Sequence, residues 1–311
     1  MLIPALLVPL AAFSVLAADT PASARDEHAS VSIVVQTDSR GELRPCDCPG
    51  SPPSGPALRS GLFQKLRVLR DAAVFLDAGD FSPATDAENP GPLSRLMVEA
   101  MELMRYDAVC PGEQELARGA AFLRDAAARL PLVAANLTVE GAPIPAVRFF
   151  ETGGRRIGVT GIVEPGLFYE WPGAFTEAAA GISLVDPLEA LHGLEDTLRA
   201  ADAVVVLVHA GLDYVRFAGG ELDWVDVFVQ GHRPELERAP GRMGSAWIVE
   251  PGTLSTQIFE LKLQWPRGEE GLPAQSEVWL LKQLSRSDGR IERLIKEFEA
   301  EHGLPEPPGG G

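Results

Sequence analysis

"AVFLDAGD", residues 73–80, is a short apolar run that ends in Gly-Asp. It is too short for a helix, so it reads as a buried strand that turns at Gly79 and leaves Asp80 at its carboxyl end. The pattern recurs along the chain. "VSIVVQTD" (31–38) ends in Asp38, "DAVVVLVHAG" (202–211) carries His209 after its apolar run, and "VDVFVQGH" (225–232) ends in His232. Between these runs lie segments with apolar residues at helical spacing: "ALRSGLFQKLRVLRDA" (57–72), "PLSRLMVEAMELMR" (92–105) and "ELARGAAFLRDAAARL" (115–130). "YDAVCPGEQE" (106–115) reads as a brief strand and a turn, and "PLVAANLT" (131–138) as a strand. A hairpin is expected over 147–166 with Gly153-Gly154 at its turn, and a helix over 186–201 with Pro187 just inside an Asp cap. Further strands follow in 246–265 and 276–284, and a last helix in "RIERLIKEFEAEHG" (290–303). A βαβα opening followed by a strand-rich half predicts an α/β fold of two packed sheets flanked by helices.

The 311 residues carry 44 acids against 27 bases, a net charge of −17. With 46% hydrophobic and 23% charged residues the composition is that of a globular protein. The length suits one large α/β domain or two small ones. An acidic chain without basic blocks does not suit nucleic acid or anionic membranes, which are held by positive potential. It also repels free nucleotides unless a metal or an arginine cluster offsets the field locally.

"MLIPALLVPLAAFSVLAADTPASA" (1–24) is an apolar run followed by small residues. It reads as a signal peptide, with Ala22-Ser23-Ala24 or Val15-Leu16-Ala17 before the cut. No Lys or Arg precedes Arg25, so an uncleaved anchor is the alternative; Pro4, Pro9 and the short apolar length argue against it. The expectation is a periplasmic or secreted protein with no stable membrane insertion after cleavage. Its three cysteines, Cys46, Cys48 and Cys110, are too few for the disulfide framework common in exported proteins.

In folds of this kind, sites lie at the carboxyl ends of strands. Asp38, Asp80, Glu113, Asn136, His209 and His232 all follow apolar runs there. A lone Asp or His at such a place is more often a satisfied turn residue. Six at comparable positions favour one shared site, and two histidines at strand ends suggest a metal.

These positions also carry a resemblance. The blocks "DSRG" (38–41), "GPALRSG" (55–61), "LDAGD" (76–80), "GEQEL" (112–116), "AAN" (134–136), "VHAG" (208–211) and "GHRP" (231–234) occur in order over about residues 30 to 265. They resemble the metallophosphoesterase superfamily, and within it the N-terminal domain of the 5′-nucleotidase and UDP-sugar hydrolase family. That resemblance implies a two-sheet αββα sandwich over 30–285, followed by a terminal helix and a disordered Pro/Gly tail over 286–311. About 45 residues follow residue 265, where the matched stretch ends. That is too few for the family's second, nucleotide-gripping domain, so its aromatic base clamp is expected to be missing.

The family site holds two divalent metals bridged by one Asp, which falls on Asp80. The first-metal set falls on Asp38, Arg40, Asp80 and Pro234, where the family has His at the second and fourth positions. An arginine stays protonated and cannot ligate a cation, so the first site is expected to be lost. The second set falls on Asp80, Glu113, His209 and His232, with Glu113 in place of the family's Asn. Two carboxylates and two imidazoles suit one Zn²⁺, Mn²⁺ or Fe²⁺. Gln114 takes the position of the family's catalytic His and cannot act as an acid. Arg40 has two readings. It neutralises Asp38 and Asp80 as an internal ion pair, or it grips a phosphate bidentately; Asn136 is the second residue expected to contact substrate.

Cys46 and Cys48 form a C-x-C pair in the Pro/Gly-rich loop 41–56. Such a pair forms a strained, readily reduced disulfide or supplies thiolates to a soft metal. One reading brings Cys46, Cys48 and Cys110 together at the mouth of the site as a redox or soft-metal centre. The other is a loop-pinning disulfide with Cys110 as a buried small hydrophobe. The function expected from all this is an exported, 5′-nucleotidase-like phosphoric-ester hydrolase, at most a weak one, acting on a phosphate-containing small molecule with one metal. A non-catalytic metal- or partner-binding scaffold and a thiol redox or soft-metal protein are the alternatives.

Overall fold

A computed structural model describes residues 28–45, 53–169, 179–232, 238–252, 256–281 and 286–303. The expected signal peptide, Cys46, Cys48, Pro234 and the terminal tail lie outside the described residues.

Two sheets face each other. The first runs in the order β13 (Ala274–Leu280), β12 (Gln257–Gln264), β1 (Ser30–Gln36), β2 (Ala73–Asp77) and β3 (Ala108–Val109). β1, β2 and β3 are parallel, and β12 and β13 are antiparallel additions. The second runs β10 (Arg238–Met243), β11 (Ala246–Glu250), β9 (Val227–Gly231), β8 (Ala203–His209), β6 (Arg155–Val163) and β5 (Val147–Thr152), with β11, β9, β8 and β6 parallel. A small pair, β4 (Leu137–Val139) and β7 (Ile182–Leu184), stands beside them.

Alternation along each strand builds the layers. Val31, Ile33 and Val35 of β1 meet Val205 and Leu207 of β8 and Val227 and Val229 of β9 in the core between the sheets. Val34 and Phe75 point the other way, onto α1 (Pro56–Leu69), α2 (Pro90–Met104) and α9 (Gly289–His302). Val204, Val206 and Val208 face outward from the second sheet onto α6 (Pro187–His192), α7 (Glu195–Leu198) and α8 (Leu212–Glu221). β8 is therefore buried on both faces, which is why it reads as an unbroken apolar run. Each such fully buried Val, Leu or Phe side chain contributes about 1.5–3 kcal/mol. The arrangement is the expected αββα sandwich, with the terminal helix packed on α1 and α2.

Two elements differ from their expected form. The helix expected over 186–201 is two short helices, because Gly193 interrupts it; the Asp186 cap is present and accepts from Glu189 N at 2.8 Å. The strand expected over 131–138 shrinks to β4. Val133 N–H donates to Val109 O in the first sheet, and Ala135 N–H donates to Gly161 O in the second. Residues 133–135 thus cross from one sheet to the other instead of pairing along either.

Candidate metal centre

The parallel strands of both sheets deliver their carboxyl ends to one place. Asp38 follows β1 and Asp80 follows β2. Glu113 opens α3 (Glu113–Leu116) just after β3, His209 ends β8, and His232 follows β9. Asp80, Glu113, His209 and His232 each offer a ligand atom, and these atoms lie within 4.8 Å of one another.

The backbone there is unusual. Asp38, Arg40, Asp80 and His232 all adopt left-handed conformations, at φ 52°, 46°, 54° and 54°. Non-glycine residues rarely do so; each such conformation costs on the order of 1–3 kcal/mol and persists only where its surroundings over-determine it. Here they do. Asp38 N–H donates to Gly79 O and Arg40 N–H to Asp80 O, both at 2.8 Å. His232 N–H donates to Asp38 Oδ2 at 3.0 Å. The loops after β1, β2 and β9 are tied to one another, and the strain aims their side chains inward.

His209 is the most tightly held. Its Nδ1 donates to the Ala78 carbonyl at 2.7 Å, which turns Nε2 toward the carboxylates. Nε2 lies 2.5 Å from Glu113 Oε2 and 3.4 Å from Asp80 Oδ1. Glycines make room for the ring. A Cβ at Gly231 would sit 2.9 Å from His209 Nδ1, and one at Gly112 2.5 Å from its Cε1. His232 closes the outer side, with Nδ1 3.0 Å from Glu113 Oε1 and its side chain 27% exposed.

The charges are under tension. Burial pushes the Asp80 carboxyl well above the usual carboxylate range, against the pull of His209, and burial raises Asp38 also. Burial acts on Glu113 in the same sense, but the charge of His209 and hydrogen bonds from both histidines overcome it and hold Glu113 low. His209 is driven up, since Asp80 and Glu113 outweigh the effect of its burial. Asp80 Oδ2 and Asp38 Oδ1 are buried and accept no hydrogen bond. Arg40 stands beside them, its Nη2 3.5 Å from Asp38 Oδ1 and 4.0 Å from Asp80 Oδ2. Orphaned buried carboxylate oxygens beside an imidazole with a fixed tautomer fit a divalent cation, which would satisfy the oxygens and replace the shared proton.

No family model matches the chain. Snake venom 5′-nucleotidase from Crotalus adamanteus is 28% identical over 219 residues, covering 67% of this chain and 35% of that protein. A 5′-nucleotidase precursor from Thermus thermophilus superposes with a TM-score of 0.73 at 21% identity, over 88% of this chain and 59% of that one. The sulfate thiohydrolase SoxB of the same organism gives 0.75 at 18% identity, over 88% and 61%. The calcineurin-like phosphoesterase YfkN of Bacillus subtilis gives 0.69 at 16% identity, over 88% and 98%. The chain has the metallophosphoesterase fold. Its resemblance is to the 5′-nucleotidase family, and it spans about a third of the curated relative it matches.

Within this metallophosphoesterase fold the remaining expected residues separate by position. Arg40 borders the cluster and is 36% exposed, so its guanidinium faces both the carboxylates and the open side. Gln114 is buried. Its backbone N–H donates to Asp80 Oδ1 at 3.1 Å and its Nε2 to Glu113 Oε1 at 3.2 Å. Asn136 stands outside the four-residue group, and its amide is occupied by the backbone. Nδ2 donates to Val163 O and Val185 O, and Oδ1 accepts from Val163 N–H. That pins the sheet-crossing segment to the end of β6. Cys110 is fully buried in the intersheet core, its thiol 3.6 Å from the Ile162 carbonyl, and burial pushes the thiol well up. This geometry fits the small-hydrophobe reading.

Glu115 escaped the sequence reading. Its carboxylate accepts from the N–H groups of Asp80 at 2.9 Å, Ser82 at 2.6 Å and Gly112 at 2.8 Å. It therefore fixes the Asp80 loop against the start of α3. An acid three residues after the glycine that opens a short helix is a capping-box signal, and "GEQE" shows it.

Proposed function

We propose that this protein holds one divalent cation at Asp80, Glu113, His209 and His232 and binds a phosphate-containing small molecule beside it. The observation that carries this reading is the convergence of two buried carboxylates and two imidazoles, with Asp80 Oδ2 left without a hydrogen bond. The donor set suits Zn²⁺, Mn²⁺ or Fe²⁺. A bound cation would supply Lewis acidity toward a phosphoryl oxygen.

The chain's own residues define the rest. Arg40 presents a fixed positive charge beside Asp38 and Asp80 where the related 5′-nucleotidases place a metal, and its exposed side can take two oxygens of a phosphate. His232, partly open, orders the outer wall. Gln114, at the position of the relatives' histidine, donates a hydrogen bond but moves no proton. Phosphoric-ester hydrolysis is accordingly slow, since loss of a proton donor or of an electrostatic partner typically costs orders of magnitude in rate. Gln114 favours a second reading, a non-catalytic binding scaffold with the same cation. The apolar N-terminal segment supports export to the periplasm or the medium. Among the described residues no helix is long and apolar enough to cross a membrane.

An assay on an aryl phosphate with added Mn²⁺ separates the readings. Slow turnover that vanishes in His209→Ala supports the hydrolase. One bound metal with no turnover supports the scaffold. Turnover unchanged in His209→Ala contradicts both.

A further inference from the structure

Although the chain has 27 bases against 44 acids, four arginines meet at one pocket. It has a volume of about 370 Å³ and lies between α1, the end of α2 and the entry to α9. Arg67, Arg105, Arg286 and Arg290 line it, with Asp288 as the single carboxylate. The pocket is remote from the metal cluster in the fold. Arg105 precedes β3 and Arg67 lies near the end of α1 that leads into β2, at the amino-terminal edge of the first sheet. Asp80 and Glu113 follow the carboxyl ends of those same strands.

The negative features of the pocket are already matched. Asp288 accepts from Ser60 Oγ, Gln64 Nε2 and Arg290 Nη2, each at 2.7 Å, and from Arg290 Nε at 3.0 Å. The carbonyls that end α2 would add negative potential. Arg67 covers them, donating to Met104 O at 3.3 Å and to Arg105 O, while its guanidinium stacks 3.7 Å above the Phe75 ring. That leaves Arg105 and Arg286. Both are exposed, and among the described residues neither forms an ion pair. Two unmatched guanidinium forks on a concave wall, in a chain otherwise strongly acidic, form a receptor for an anion.

We infer that this pocket binds a small oxyanion of two or more charges, such as pyrophosphate or the phosphate end of a small molecule, through Arg105 and Arg286. The site is separate from the metal cluster and does not depend on its activity.

Calorimetric titration of the full chain with pyrophosphate, after removal of divalent metals, tests this. Wild type binds, and Arg105→Ala/Arg286→Ala weakens binding tenfold or more. Arg105→Lys/Arg286→Lys falls between, since it keeps charge without the fork. Asp80→Asn, which disables the metal cluster, binds as wild type does. An unaltered melting temperature of the arginine variants in anion-free buffer confirms their fold. No binding to wild type, equal binding by the double Ala variant, or loss of binding in Asp80→Asn would each overturn the inference.

Discussion

His209 Nε2 lies 2.5 Å from Glu113 Oε2 while the opposite ring nitrogen is fixed on the Ala78 carbonyl at 2.7 Å. Two acceptors do not approach so closely without a proton or a cation between them. The ring cannot rotate away, because the backbone at Gly79, Gly112 and Gly231 packs against it. The pair therefore shares a proton, whose place a divalent cation would take.

Gly112→Ala tests that packing. A Cβ there would lie 2.5 Å from His209 Cε1, 2.7 Å from Nε2 and closer still to Asp80 Oδ1. Overpacking of this kind costs about 1–3 kcal/mol. The expected outcome is a lower melting temperature together with at least tenfold weaker binding of Zn²⁺ or Mn²⁺, read by titration. Unchanged metal affinity would mean the ring is not confined.

Glu115→Ala removes the acceptor of three buried backbone N–H groups. Each unsatisfied buried donor costs about 1–3 kcal/mol, so this variant should be among the most destabilising single changes around the site. Urea unfolding measures it, and a loss below about 1 kcal/mol would show that water replaces the carboxylate.

The pH dependence should carry the mark of Asp77. Burial pushes its carboxyl up to about 7, against the hydrogen bond it accepts from Gly79 N–H. The folded chain therefore keeps a proton that the unfolded chain releases above about pH 4, and stability falls as pH rises from there to about 7. Asp77→Asn removes this loss while keeping an acceptor for Gly79. Relative to wild type, the variant should gain stability between pH 5 and pH 8, by at most ~4 kcal/mol. A difference that is flat with pH would contradict the assignment.

Cys110 should be inert in the folded protein. Its thiol is fully buried and held protonated, and the thiolate is the reactive form. Alkylation mapped by mass spectrometry should leave the Cys110 peptide unlabelled until denaturant is added. Rapid labelling under native conditions would bring back the reading that places Cys110 at the mouth.

Much of this was legible in the sequence, and the reasons are local. Strands such as 203–209 announce themselves as apolar runs because both of their faces are covered, and the polar residue that ends each one marks the sheet edge. Asp80, Glu113, His209 and His232 were readable on that basis as strand-end residues, and the family resemblance grouped them. The direction of the Asn136 amide was not legible, because its position at a strand end looks the same whether the amide faces a ligand or the backbone. The crossing at 133–135 was hidden for a related reason: its N–H groups bond to strands distant in sequence, and composition does not record which. Cys110 shows the limit of neighbourhood in sequence, since it stands three residues from Glu113 yet points into the core.

The most direct test of the central claim is the metal content of the purified protein. The chain, saturated with Mn²⁺ or Zn²⁺ and then freed of unbound ion, should retain one equivalent by mass spectrometric elemental analysis, and His209→Ala should retain none. Two equivalents would contradict the replacement of a metal by Arg40. Retention of metal by His209→Ala would place the ion elsewhere, and no metal in wild type would contradict the centre itself.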